Sequence, residues 1–158
     1  MTGETVALRP VAQSDLEPFF QHQADPEAVQ MGGYLPRNQE ALVAHWAGLL
    51  ADPSVKACTI VVGTAVAGHV SAWTHDGQRH VGYVVDKEFW GRGVATRALT
   101  LFLDIENIRP LWAYVAQDNT GSLRVLEKCG FLQVVRLERD ERGVAFVGLR
   151  FGEVPATG

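Results

Sequence analysis

Hydrophobic and polar residues alternate in short runs along most of the chain, and in four longer stretches the hydrophobic residues recur every three or four positions. Alternation is typical of strands and the longer period of helices. The alternating or β-branched runs predict strands at Thr5–Arg9, Cys58–Val62, Val66–Trp73, Arg79–Val85, Leu111–Ala116, Phe131–Glu138 and Val144–Phe151. The helical spacing predicts helices from Ser14, over about 38–51, from Gly93 and over about Thr120–Cys129.

Local signals support several of these boundaries. Ser14 and Glu17 have the spacing of a capping box at a helix start, and Gly130 is placed to end the last helix. Asp76-Gly77 is typical of a hairpin turn. The order βααβββαβαββ predicts a mixed α/β fold with a mostly antiparallel sheet flanked by helices. Because no repeat or linker interrupts the chain, we expect residues 1–158 to form a single domain.

Composition narrows the class of protein further. A chain of 158 residues with 47% hydrophobic residues can bury about 68–70% of its unfolded surface. Cys58 and Cys129 are too few for a disulfide framework and lack metal-ligand spacing, which favours a reducing, cytoplasmic setting and no metal. No leader-like start and no apolar run of roughly 18 residues is present, so no membrane partner is expected. Eleven arginines against three lysines are typical of a GC-rich bacterial genome.

The charge pattern bears on partners. The formal net charge is −4 and no run of basic residues occurs, which argues against nucleic acid as a partner. Residues 1–40 carry six carboxylates against two arginines. If this part lined a binding site, the site would favour a cation; solvated helix faces are the alternative interpretation.

The segment from Val84 to Thr96 is the most informative for chemistry. It runs from a strand through a turn with Gly91 and Gly93 into a helix. Glycines allow close approach of a ligand, and the first helical turn offers unpaired N–H groups to an anion such as phosphate. The third glycine of the dinucleotide-binding fingerprint is missing and no P-loop occurs, and a purely structural turn is the alternative.

At this point the sequence resembles the GNAT N-acetyltransferase superfamily. Residues 90–95 read WGRGVA, close to the Q/R-x-x-G-x-G/A pyrophosphate loop of that family but with Trp90 in place of Gln or Arg. Residues 119–131 read NTGSLRVLEKCGF and resemble the N-x-x-S-x-x-V-L-E-K-x-G-F of the branch that acetylates N-termini of ribosomal proteins. The opening Leu8-Arg9-Pro10 fits the same branch. The family fold has splayed central strands.

This resemblance implies acetyl-CoA as the acetyl donor. The strand ending at Val85 should splay from the strand at 111–116, and the gap would take the pantetheine arm as an extra strand. A free N–H near Val84 or Val85 would polarise the thioester carbonyl. Asn119 and Ser122 would contact the pantetheine or thiol end. The pyrophosphate would lie on the backbone amides of Arg92, Gly93, Val94, Ala95 and Thr96.

The catalytic groups are less fully matched. Many family members place a Tyr acid where this chain has Leu126, so the Ser122 hydroxyl is the candidate acid, with a packing role as the alternative. His80 stands where relatives often carry a Glu base, and its ordinary pKa of about 6.5 suits that task; a strand-end histidine without catalytic function is the alternative. His69 and His75 are weaker candidates for the base.

The acceptor is expected to be a primary amine. An α-amine with a pKa of about 8 needs less help to deprotonate than a lysine at about 10.4, which favours a protein N-terminus over a side chain. Tyr34 is the candidate acceptor contact, whereas Phe19, Phe20 and Trp46 fit core positions. The alternatives are a small-molecule (antibiotic or metabolite) acetyltransferase and a non-catalytic acyl-CoA-binding module. Relatives often dimerise, so a homodimer is also open.

Overall fold

The computed structural model describes residues 5–32 and 35–153. Its strands are β1 Val6–Pro10, β2 Lys56–Val62, β3 Ala65–His75, β4 Gln78–Val85, β5 Leu111–Ala116, β6 Leu132–Leu137 and β7 Phe146–Phe151. Its helices are α1 Leu16–Ala24, α2 Pro26–Gly32, α3 Gln39–Ala51, α4 Val94–Ile105 and α5 Thr120–Lys128. The strands form one sheet in the order β1-β2-β3-β4-β5-β7-β6, antiparallel throughout except between β4 and β5. The predicted mixed, mostly antiparallel α/β fold is confirmed.

The two faces of the sheet carry separate hydrophobic clusters. On one face α4 and α5 pack on the strands, and the helical stripe predicted for α4 is buried at Ala98, Leu99 and Phe102. On the other face Phe19 and Trp46 pack together between α1 and α3, which confirms their core interpretation. None of the helices among residues 5–32 and 35–153 is both long and apolar enough to cross a bilayer.

The start of α1 differs from the prediction. The helix begins two residues after Ser14, which is exposed and does not cap it. The buried carboxylate of Asp15 accepts hydrogen bonds instead from the Arg9 guanidinium, the Ala12 N–H and the Thr59 hydroxyl, each at 2.7 Å. The prediction that Ser14 caps α1 is wrong, because the hydrogen bonds of Asp15 fix this turn against β1 and β2.

The short helix α2 was not predicted. Its start is nevertheless encoded locally, because Asp25 Oδ1 accepts from the N–H groups of Glu27 at 2.9 Å and Ala28 at 3.2 Å. Pro26 occupies the first helical position, where its missing N–H costs nothing. With seven residues, α2 is too short to show a hydrophobic period.

The strand β4 is anchored at its beginning. Arg79 is buried and donates to Glu106 Oε1 at 2.7 Å, to the Ser54 carbonyl at 2.6 Å and to the Thr74 hydroxyl at 3.2 Å. Pairing with β5 occurs at Arg79 and at the next residue, His80, whereas pairing with β3 continues to the end of β4. Past His80, β4 and β5 therefore diverge, as the resemblance implied.

Replacing Asp15 with Asn should destabilise the fold in a pH-dependent way. The Arg9 guanidinium, with help from the Ala12 and Thr59 hydrogen bonds, lowers the pKa of Asp15 from its ordinary 3.8 to about 2. A carboxylate with a lowered pKa stabilises the folded state above its unfolded pKa, and this contribution disappears as the pH falls through the folded pKa. We expect Asp15→Asn to lower the free energy of unfolding by about 2 kcal/mol at pH 7.

Urea unfolding of the wild type and the variant at several pH values measures this difference. It should shrink between the two pKa values as the pH is lowered. The matched control is Glu127→Gln, which removes an exposed carboxylate from α5 and should change stability by less than about 0.5 kcal/mol. A loss of equal size at pH 7 and near pH 2 would contradict the assignment.

Candidate active site

The backbone of β4 faces a gap where β5 has diverged. Asp86, just beyond the strand, donates its N–H to the Ala67 carbonyl at 2.7 Å and so points toward β3. Because successive residues of a strand point to opposite edges, Val85 directs its N–H and carbonyl toward the gap. The indole Nε1 of Trp90 donates to that carbonyl at 2.8 Å. The Val85 N–H points to the same edge of β4 as that carbonyl.

Close contact with β3 fixes the neighbouring residue. A Cβ on Gly68 would lie 1.9 Å from the carbonyl oxygen of Val84, so a larger residue would require the two strands to move apart. The Val84 carbonyl is therefore directed at β3, and its N–H lies on the same edge. Of the two residues expected to supply a free N–H, the geometry favours Val85.

A glycine-containing loop follows β4 and leads into α4. Gly91 and Gly93 have φ angles of +74° and +73°, in the left-handed region that favours glycine. Arg97 Nη2 donates to the Arg92 carbonyl at 2.7 Å across this loop. Because Gly93 is the N-cap and has no side chain to cap the helix, the amides of the first turn can receive an anion. The predicted residues 92–96 thus lie together beside the gap.

The first turn of α5 reaches the gap from the other side. Ser122 Oγ lies 2.6 Å from the hydroxyl oxygen of Tyr83, which belongs to the diverging part of β4. Asn119 caps α5, because its Oδ1 accepts from the Ser122 N–H at 3.1 Å. Leu126, where many relatives have a Tyr acid, is completely buried in the core. Ser122 is thus at the gap, and the Leu126 position offers no hydroxyl.

His80 lies where β4 still pairs with β5. Its ring stacks on Trp73 at 5.7 Å between centroids and lies 5.5 Å from the ring of Tyr114. Val84 follows four residues later on the same face, which corresponds to about 13 Å along a strand. Burial lowers the pKa of His80. At this separation a proton from an amine near Val84 would have to reach His80 through water.

The two weaker histidine candidates lie in contrasting environments. His69 pairs with Val84 across the β3–β4 ladder, and its ring lies 4.7 Å from Phe19 and 4.9 Å from Trp46. Burial lowers the pKa of His69 to about 3, so it is a poor proton acceptor near neutral pH. His75 is exposed in the β3–β4 hairpin.

A cavity of about 420 Å³ opens between α2, the end of β5 and the segment between β6 and β7. Its lining carries two carboxylates, on Glu27 and Asp118, and one guanidinium, on Arg139. Lys87 Nζ lies 3.4 Å from Glu27 Oε1. One of the N-terminal carboxylates therefore reaches a cavity, whereas Asp15 is buried against Arg9. Tyr34, the expected acceptor contact, lies outside the described residues.

Comparison with known proteins agrees with this geometry. The sequence model of the family described as "Acetyltransferase (GNAT) domain" matches residues 5–132. The "Uncharacterized N-acetyltransferase p20" of Bacillus licheniformis is 23% identical over 143 residues, which cover 81% of this chain and 79% of that protein.

Solved structures share the fold. Spermidine N-acetyltransferase from Vibrio cholerae, in complex with CoA and spermine, superposes with a TM-score of 0.80 at 16% identity, covering 92% of this chain and 94% of that one. RimL, a ribosomal L7/L12 alpha-N-protein acetyltransferase in complex with CoA, gives 0.78 at 19% identity, covering 93% of each chain. The chain belongs to the GNAT acetyltransferase family, and it is an acetyl-CoA-dependent N-acetyltransferase.

Three site features were missed by the sequence reasoning. The Tyr83 hydroxyl and the carboxylate of Asp118 depend on contacts between distant segments, so no local pattern marks them. Trp90 was noted as a departure from the family loop, and its bond to the Val85 carbonyl gives that departure a function. A tryptophan directly before a glycine turn and five residues after a strand end was the available signal.

Introducing a carboxylate at Gly93 should block the cofactor. Gly93→Glu forces a side chain onto a left-handed residue and places a negative charge where the pyrophosphate would bind. We expect CoA affinity to fall by about a hundredfold or more, measured by calorimetry.

The matched control for this variant is Gly63→Glu. Gly63 also has a left-handed φ of +61° with open space around it, but it lies in the β2–β3 turn. It carries the same backbone strain and added charge, and its CoA affinity should match that of the wild type. Unchanged CoA affinity in Gly93→Glu would contradict the assignment of residues 92–96 as the pyrophosphate-binding loop.

Proposed function

We propose that this protein acetylates a protein N-terminal α-amine, which attacks the thioester of acetyl-CoA directly. The divergence of β4 from β5 beside the glycine-containing loop carries the acetyl-CoA part of this proposal, and the motif at residues 119–131 carries the choice of acceptor. The pantetheine arm lies in the gap as an additional strand, and the pyrophosphate lies on the amides of residues 92–96. The N–H of Val85 faces the thioester carbonyl and stabilises the oxyanion that develops there.

The need to deprotonate the acceptor before it attacks supports an α-amine as the acceptor. The carboxylate nearest to the gap along β4 is that of Asp86, and it accepts from the Glu88 N–H and lies 3.6 Å from His22 Nε2. Because these contacts already engage the Asp86 carboxylate, the site suits an acceptor that is partly neutral near pH 7.5, as an α-amine of pKa about 8 is. The motif at residues 119–131 supports the same branch of the family.

Each catalytic residue has a defined task in this proposal. The neutral amine forms a bond to the carbonyl carbon, and the carbon–sulfur bond breaks with its electron pair on sulfur. The proton lost by nitrogen passes through water to His80, which faces the same side of the sheet as Val84. Ser122 stabilises the departing thiolate, and Asn119 supports Ser122 by capping α5.

A small-molecule amine is the second candidate, and the cavity favours it. A volume of about 420 Å³ lies in the range of sites that enclose small ligands. Its carboxylates, Glu27 and Asp118, would attract a cationic amine, next to the guanidinium of Arg139 in the same lining and to Lys87 beside Glu27. The spermidine N-acetyltransferase of Vibrio cholerae shares the fold.

Release of free CoA from acetyl-CoA measures which acceptor is used. The first group of acceptors is peptides with a free N-terminus and no lysine, which offer an α-amine. The second is N-acetylated peptides with one internal lysine, which offer a side-chain amine. The third is small amines, including polyamines and aminoglycosides. We expect turnover with the free N-terminal peptides, and kcat/KM should rise with pH to a plateau above about pH 8. Turnover confined to the small amines would replace the first proposal by the second.

Replacing His80 should change the pH dependence below neutrality. If His80 takes the proton, kcat/KM falls at low pH through two ionisations, those of the amine and of His80, and the logarithmic slope approaches two. In His80→Gln only the amine titrates, so the slope should be one. His75→Gln removes an exposed neighbouring histidine and should keep a slope of two. A slope that is the same in His80→Gln and in the wild type would remove His80 from the reaction.

A further inference from the structure

The contact between Tyr83 and Ser122 joins the two sides of the gap. Tyr83 extends from the diverging part of β4, and Ser122 lies in the first turn of α5, 39 residues later. Their hydroxyl oxygens are 2.6 Å apart, and the Tyr83 hydroxyl is 3.3 Å from the Ser122 carbonyl oxygen. We propose that Tyr83 is the positioning residue that turns the Ser122 hydroxyl into a hydrogen-bond donor for the departing CoA thiolate.

The two hydroxyls can share their hydrogen atoms in two ways. When Ser122 donates to Tyr83, the Tyr83 hydrogen is left for the Ser122 carbonyl and no donor faces the gap. When Tyr83 donates to Ser122 Oγ, the Ser122 hydrogen is free to rotate toward a sulfur atom. A thiolate accepts hydrogen bonds, so it selects the second arrangement. Hydrogen bonds to charged groups are the stronger ones.

The surroundings keep Tyr83 in the state that this role requires. Burial raises the pKa of Tyr83 to about 12, so the phenol remains a neutral donor throughout the physiological pH range. Its backbone lies in the part of β4 that has diverged from β5, two residues before Val85. The side chain and the proposed carbonyl-binding N–H therefore belong to the same end of one strand.

The buried position of Leu126 explains why a hydroxyl from β4 is needed. That residue stands where many relatives carry the Tyr acid, and here it is part of the hydrophobic core. The Tyr83 phenol extends from β4 to Ser122 and so brings a tyrosine hydroxyl to α5, the helix that carries Leu126. The sequence hides this substitution because the two positions lie on different elements.

The inference rests on the proposed binding of acetyl-CoA in the gap and adds no reactant to it. As the carbon–sulfur bond breaks, the electron pair remains on sulfur, which accepts a hydrogen bond from Ser122 while Ser122 accepts one from Tyr83. No proton leaves either hydroxyl. The sulfur takes its proton from solvent, and the proton from the amine leaves through water.

The test measures the pKa of the CoA thiol in the complex with the protein. Thiolate absorbance in the ultraviolet is followed against pH as the difference between complexes with CoA and with desulfo-CoA, which cancels the protein's own thiols and tyrosines. In Tyr83→Phe we expect the thiol pKa to rise by about one unit and kcat to fall by about tenfold. The KM for acetyl-CoA should change little, because the lost interaction acts on the thiolate.

Two further variants complete the design. Ser122→Ala should raise the thiol pKa at least as much, and the double variant with Tyr83→Phe should raise it no further than Ser122→Ala does, because both hydroxyls act through one contact. The matched control is Tyr114→Phe. It removes a phenol hydroxyl of β5 that donates a hydrogen bond to Gln78 Oε1 at 3.0 Å. It should leave the thiol pKa unchanged; kcat is compared for the other variants, because the ring of Tyr114 lies 5.5 Å from that of His80.

The outcomes separate this inference from the proposed function. Wild-type protein that does not bind CoA would overturn the placement of the cofactor and the inference together. Normal binding with the same thiol pKa in the wild type and in Tyr83→Phe would overturn the inference alone. Additive shifts in the double variant would also overturn it, because they would show that the two hydroxyls act independently.

Discussion

The broken pairing between β4 and β5 is the constraint on which the rest of the site depends. Arg79 fixes the start of β4 through its bonds to Glu106 and Ser54, and Gly68 lets β3 hold the end of the strand closely. The Trp90 indole occupies the Val85 carbonyl. These contacts act on β4 from its ends and from its other edge, so we expect them to preorganise the gap, which lowers the cost of binding a ligand there.

The fold followed from the sequence wherever local patterns decide the structure. The stripe at Ala98, Leu99 and Phe102 placed α4, and the predicted helix over about 38–51 matches α3, which Asn38 caps by accepting from the Ala41 N–H at 2.8 Å. Local signals failed at Ser14 because the adjacent Asp15 forms a buried contact with β1 and β2. A capping pattern cannot show which of two neighbouring polar residues the tertiary structure will bury.

The features of the site also fall into those set by local sequence and those set by tertiary contacts. The glycine turn and the start of α4 are contiguous in sequence, so an anion-binding loop was predictable from the residues alone. The divergence of β4 came from the family resemblance, because strand pairing between distant segments leaves no periodic trace. The Tyr83–Ser122 contact and the carboxylates of Glu27 and Asp118 arise from elements that meet only in three dimensions. The absence of a tyrosine at Leu126 was visible and Ser122 was the candidate in its place, but the contact of Ser122 with Tyr83 was not predictable.

Because two residue pairs join β4 to β5, we expect the sheet to open locally as two units on either side of this junction. One unit is β1–β4 and the other is β5, β7 and β6, whose last strand is exposed along its whole length. Units joined by few hydrogen bonds open with different free energies. A cofactor lying between them as an extra strand would bond to both and make them open together. Acetyl-CoA would then stabilise the C-terminal unit against local unfolding as well as serve as a reactant.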